Sequence, residues 1–84
     1  MKYTLEITSS AQRQFKKLPK IFQDQITPKI LSLELYPRPS GVKKLRSFDY
    51  YRIRIGDYRV VYSVDDKYHI VKVLDLGHRK NVYR

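Results

Sequence analysis

The chain has 84 residues, room for a single domain over residues 1–84 with one compact core. It contains no cysteine, which excludes a disulfide staple and a thiolate metal site, and its 42% hydrophobic and 13% aromatic content is too high for a disordered tail. Lys and Arg number 18 against 8 Asp and Glu, and the resulting +10 at pH 7 calls for a polyanionic partner: nucleic acid, an anionic membrane or an acidic protein.

Met1 to Ile7 is too short for a signal peptide and runs straight into the polar Thr8-Ser9-Ser10. No apolar run approaches the length of a membrane span, so no membrane partner is expected and the expected location is the cytoplasm. Tyr3 to Ile7 alternates apolar and polar, the period of a half-buried strand. Ser9 reads as a helix cap with Gln12 completing a capping box, Ala11, Phe15 and Leu18 line one helical face, and Pro19 ends that helix. A second helix is expected from about Lys20 to Leu35, with Phe22, Ile26, Ile30 and Leu33 as its apolar stripe. Pro28 falls inside it, has no N–H and crowds the carbonyl of Asp24, so a kink or break is expected there. Tyr36 to Gly41 holds two prolines and a glycine and reads as a loop.

Three strands account for the rest: Tyr51–Ile55, Tyr58–Val64 and His69–Leu76, joined by turns at Gly56-Asp57 and Asp65-Asp66-Lys67. Turns this short make neighbouring strands antiparallel. The predicted fold is therefore α+β: an N-terminal strand, a helical hairpin, then a three-stranded antiparallel meander with the helices packed on one face.

Alternation sorts the cations. Tyr51, Ile53 and Ile55 share one side with Tyr58, Val60, Tyr62 and Val64 as the core set, which leaves Arg52, Arg54, Arg59 and Ser63 on the open face. Guanidiniums crowded on one face repel unless an anion lies between them, and their planar donors suit phosphate. Lys43, Lys44 and Arg46 form a second cluster in the preceding loop, equally consistent with a solvated loop and with a track for RNA. The end of the chain gathers His78, Arg79, Lys80, Tyr83 and Arg84 after Gly77, a glycine suited to a sharp turn at the strand end; a frayed basic tail is the simplest alternative. His69 reads as a strand residue.

The eight carboxylates are scattered and no histidine–carboxylate cluster has ligand spacing, so neither a metal site nor a cofactor is expected. No serine has an evident catalytic partner. Metal-free RNA cleavage remains, in which the substrate's own 2′-hydroxyl is the nucleophile and the protein supplies acid–base groups and phosphate stabilisers. His78 and Tyr83 fit the first role and the arginines the second, although a hydrogen-bonded structural histidine explains His78 equally well.

Leu18-Pro19-Lys20, Pro37-Arg38-Pro39, Gly41 to Leu45, Tyr50 to Tyr62 and Gly77 to Tyr83 together resemble the RelE branch of the RelE/ParE toxins; YYRIRIGDYRVVY and GHRKNVYR are the most specific stretches. The resemblance covers nearly the whole chain. It implies a ribosome-dependent endonuclease acting on mRNA in the ribosomal A site, and a RelB-like antitoxin that covers the basic face. It makes Arg59, Arg79 and Tyr83 catalytic, and it places Arg52 and Arg54 where the best-known RelE protein carries two functional lysines. Lys80 and Arg84 join Arg52, Arg54, Lys43, Lys44 and Arg46 as expected RNA contacts. Arginine cannot release its proton at working pH, so acid–base work shifts to Tyr83 and His78. Two alternatives stay open: a ParE-like inhibitor of DNA gyrase without nuclease activity, and an RNA-binding module without chemistry.

Overall fold

A computed structural model describes residues 2–45 and 50–78. The order is β1 (Thr4–Ile7), α1 (Ser9–Lys16), α2 (Lys20–Ser32), β2 (Lys43–Lys44), β3 (Tyr50–Ile55), β4 (Tyr58–Asp65) and β5 (Ile70–His78). The meander is present, and both remaining strands dock on its edges: the five-stranded sheet runs β1-β5-β4-β3-β2, with β1 parallel to β5 and the other pairs antiparallel. Lys43 and Lys44, expected in a loop, form the short edge strand β2. Two lysines on so short an edge discourage pairing with another chain.

The helix start differs from the expected one. Thr8, not Ser9, caps α1: its Oγ1 accepts from the Ala11 N–H at 3.1 Å. Gln12 donates to the Ile7 carbonyl and so completes no capping box. The cap also ties α1 to the sheet, since the Thr8 hydroxyl donates to the Leu74 carbonyl. Leu74 is the extra residue of a bulge, for Val61 pairs with Asp75 while Tyr62 pairs with Val73. Gln14 spans the same place, donating to Asp75 and accepting from the Leu76 N–H.

The helical hairpin closes through Gln23, whose amide donates to the Phe15 and Leu18 carbonyls at the end of α1. Helix α2 passes through Pro28 without a break and ends at Ser32, a turn earlier than the pattern suggested. Pro28 is exposed, so the carbonyl its ring denies a partner lies on the solvent side. The apolar stripe is as expected: Ile26, Ile30 and Leu33 are buried and Phe22 half-buried.

The helices cover one face of the sheet. Ala11, Ile26, Ile30 and Leu33 meet Tyr51, Ile55, Val60, Tyr62, Val64, Val71, Val73 and Leu76 in one core cluster. The β3–β4 connection turns on Gly56 at φ +61°, the left-handed value that the first position of a two-residue hairpin loop demands. Strand β5 starts at Ile70 because His69 takes φ +57°, which ends the preceding turn. It then continues past Gly77 to His78, so Gly77 is a strand residue and not the expected turn.

Candidate nucleic-acid interface

The helix-free face carries the cations. Strand register pairs Lys43 with Arg52, Arg52 with Val61, Arg54 with Arg59 and Arg59 with Gly77. Residues paired across strands point to the same side, so Lys43, Arg52, Arg54 and Arg59 share the face opposite the helices. They line a pocket of about 210 Å³ together with Gly41. Gly77 contributes no side chain beside Arg59, which leaves room there. Arg54 is exposed; Arg52 and Arg59 are half-buried, and the Nε of Arg59 is shielded from solvent. Stems laid against the sheet with forked heads at a cavity are a geometry for gripping an oxyanion.

The loop that brings Gly41 and Lys43 to the pocket is clamped at its start. Tyr62, fully buried, donates from its hydroxyl to the Pro37 carbonyl at 2.7 Å, and burial pushes that phenol well above the ordinary tyrosine range. Arg38 donates through Nε to the Tyr51 hydroxyl at 2.9 Å and through both terminal nitrogens to Asp66, at 3.2 and 2.8 Å. Its guanidinium also lies 5.1 Å from the centre of the Tyr51 ring. Tyr3 adds a hydroxyl donated to Asp66 at 2.7 Å. Hydrogen bonds from Arg38 and then Tyr3 hold the Asp66 carboxyl below its ordinary value, and the same bond to Asp66 raises the Tyr3 phenol. The clamp joins the residue before β1, the 37–42 loop, β3, β4 and the β4–β5 turn on the helix side of the sheet. No pattern in the chain points to it: an arginine between two prolines does not announce which carboxylate it will meet.

The remaining expected residues divide. Lys44 pairs with Tyr51 and so points away from the pocket. His78 pairs with Tyr58, and its ring packs edge-on at 5.6 Å from the Tyr58 ring, which itself lies 5.2 Å from Phe22 of α2. The expected catalytic histidine therefore sits on the helix side, away from the arginines: a glycine within the strand fixes the parity of the residue after it, and Gly77 occupies the position opposite Arg59. Arg46, Arg79, Lys80, Tyr83 and Arg84 lie outside the described residues. Tyr50 was missed. It pairs with Ser63, and parity places it on the arginine face; counting back two residues from Arg52 would have found it. Among the described residues no group of three or more His, Asp or Glu could hold a metal ion, and no helix is long and apolar enough to cross a membrane.

Fold and pocket define a class: a basic α+β domain that packs a helical hairpin on one face of its sheet and gathers Lys43, Arg52, Arg54 and Arg59 around a pocket on the other. The family model described as "ParE toxin of type II toxin-antitoxin system, parDE" matches residues 5–83. The chain is 31% identical to Toxin RelG of Mycobacterium tuberculosis over 86 residues, covering 100% of this chain and 99% of that one. It is 29% identical to the mRNA interferase toxin RelE of Escherichia coli over 82 residues, covering 95% and 86%. The crystal structure of the toxin–antitoxin complex RelBE2 from Mycobacterium tuberculosis superimposes with a TM-score of 0.83 at 29% identity, covering 94% of this chain and 100% of that one. The chain belongs to the RelE/ParE superfamily, in its RelE-like branch, and is a toxin of a type II toxin–antitoxin system.

Proposed function

We propose that this toxin is a cytoplasmic mRNA endonuclease that cuts in the ribosomal A site without a metal ion. The carrying observation is the convergence of Lys43, Arg52, Arg54 and Arg59 on one pocket of the helix-free face. In this reading the four cations bind the scissile phosphate and stabilise the charge that builds on it, the work a metal ion does in other nucleases. The 2′-oxygen attacks the adjacent phosphorus as its proton leaves, the bond from phosphorus to the 5′-oxygen breaks, and that oxygen takes up a proton. The products are a 2′,3′-cyclic phosphate and a 5′-hydroxyl. Arg59 and Arg79 are assigned to transition-state charge and Tyr83 to proton transfer. His78, with its ring against Tyr58, is assigned neither. The reading is supported by a relative named an mRNA interferase.

A RelB-like antitoxin is the proposed partner, supported by the RelBE2 complex that this chain resembles. An acidic segment lying over the arginine face would occupy the phosphate pocket and silence it.

The test is primer extension on messenger from cells pulsed with the toxin. Cuts within codons of translated regions are expected, and a 2′-deoxy residue at the cut site should bind and resist cleavage. Intact messenger beside blocked DNA supercoiling would replace this reading with the gyrase-inhibitor one. Loss of cutting in EDTA on an intact ribosome, restored by magnesium, would remove the metal-free mechanism.

A further inference from the structure

Among the described residues the arginine face also carries an exposed aromatic ring, that of Tyr50. Tyr50 is 39% exposed and lies outside the helix-facing cluster. Its register partner is the half-buried Ser63, and parity aligns it with Arg52 and Arg54. Two residues along a strand span roughly 6.5–7 Å, so the Tyr50 ring stands one such step from Arg52 and the mouth of the pocket. Val61 lies directly opposite Arg52 on β4; it is only 9% exposed yet belongs to no part of the helix-facing core, and it makes an apolar floor on this face. Two more exposed tyrosines lie elsewhere in the fold. Tyr68 sits in the β4–β5 turn with the Lys67 ammonium 5.3 Å from its ring centre, and Tyr36 follows α2 on the far side of the clamp.

The geometry points to Tyr50 as a stacking platform for an RNA base, taking the nucleotide next to the one whose phosphate occupies the Lys43–Arg52–Arg54–Arg59 pocket. This inference rests on the nucleic-acid reading of that pocket and adds to it a contact with a base. A flat ring beside a row of cations on an open sheet is suited to single-stranded RNA: phosphates go to the cations, and an unstacked base covers the ring. A duplex offers this face only phosphates, because its bases are already stacked. The ring sits at the β2–β3 end of the pocket, away from Arg59 and Gly77, so it fixes the direction in which the strand crosses the sheet. Stacking tolerates any base and favours the larger purine face, which gives the site a preference by ring size and not by hydrogen-bond pattern.

The experiment measures binding to a short single-stranded RNA blocked against cleavage by 2′-methoxy groups, to the same strand with abasic sites, and to an RNA duplex. Tyr50→Ala is expected to weaken binding to the intact strand roughly 5- to 150-fold and to leave the abasic strand and the duplex unchanged. Tyr50→Phe keeps the ring and should bind as the parent does. Tyr50→Leu keeps apolar bulk without a π face and should lose affinity as Ala does, which separates stacking from support of the fold. Equal loss on intact and abasic strands, or no loss on either, overturns the platform. Arg52→Gln run in parallel tells the two failures apart. If it weakens binding while the Tyr50 variants do not, only the platform falls; if it too has no effect, the pocket is not an RNA site and both readings fall.

Discussion

Arg54 and Arg59 sit directly opposite each other in adjacent strands, and this pairing should cost stability. Arg54 is exposed, and its one described hydrogen bond, from Nε to the Gly56 carbonyl, is long at 3.4 Å. Arg54→Gln therefore removes a charge and little else. Two unit charges about 6 Å apart repel by about 0.7 kcal/mol in bulk water and about 3 kcal/mol at an effective dielectric of 20. The exposure of Arg54 puts the pair near the lower figure. A relief of about 0.7 kcal/mol raises the melting temperature of a domain this size by roughly 3–6 °C. The gain should appear in thermal unfolding at low ionic strength and vanish near 1 M salt, where the screening length falls to about 3 Å. Affinity for RNA should fall in the same variant, so stability and binding move in opposite directions. A melting temperature that drops in Arg54→Gln, or a gain that ignores salt, would show that Arg54 serves the fold, and the argument for an anion site would fail.

Three further outcomes test the framework around the site. Tyr62→Phe leaves the Pro37 carbonyl without its donor and should destabilise by about 1–3 kcal/mol, read as a lower denaturant midpoint at unchanged slope. The Asp66 carboxyl is held below its ordinary value of 3.8 by Arg38 and Tyr3, so its contribution is complete above that pH and is lost as the pH falls through the depressed value. Asp66→Asn should accordingly flatten stability against pH in the acid range and leave it unaltered between pH 6 and 8 apart from a constant offset. Lys43 faces the pocket and Lys44 does not; Lys43→Gln should lower the salt slope of single-strand RNA binding by about 0.7, and Lys44→Gln should not. Equal slopes in the two variants would contradict the register of β2 with β3.

Strand parity was legible in the sequence because the core set Tyr51, Ile53, Ile55, Tyr58, Val60, Tyr62 and Val64 alternates without interruption, and the open face of arginines followed from it. What parity cannot supply is pairing between distant segments. Nothing in Thr4–Ile7 announces that it lies parallel to β5, because that choice is made by packing of the hairpin between them. The β2 edge strand is two residues long, below the length at which periodicity exists. The Thr8 cap was displaced by one residue because Thr8, Ser9 and Ser10 are all competent caps, and the contact that selects Thr8 is to Leu74, 66 residues away. His78 was misplaced for the opposite reason: grouping it with its sequence neighbours ignored that β5 had not yet ended, and one more strand residue turned its ring towards Tyr58.

That placement of His78 has a kinetic consequence. The pocket cations are three arginines and one lysine. Arginine stays charged throughout the working range. Such a pocket grips phosphate equally well from pH 6 to 9 but can abstract no proton there. RNA affinity should therefore be flat across that range while the cleavage rate is not. If Tyr83 removes the 2′-hydroxyl proton, the single-turnover rate on ribosome-bound messenger should climb with pH towards the phenol's pKa, about 10 when unperturbed and lower beside positive charge. The climb should disappear in Tyr83→Phe and survive in His78→Gln. A rate that levels off near pH 6.5, where imidazoles titrate, and loses that limb in His78→Gln would return the proton to the histidine. It would also require His78 to leave Tyr58 and cross to the arginine face during the reaction.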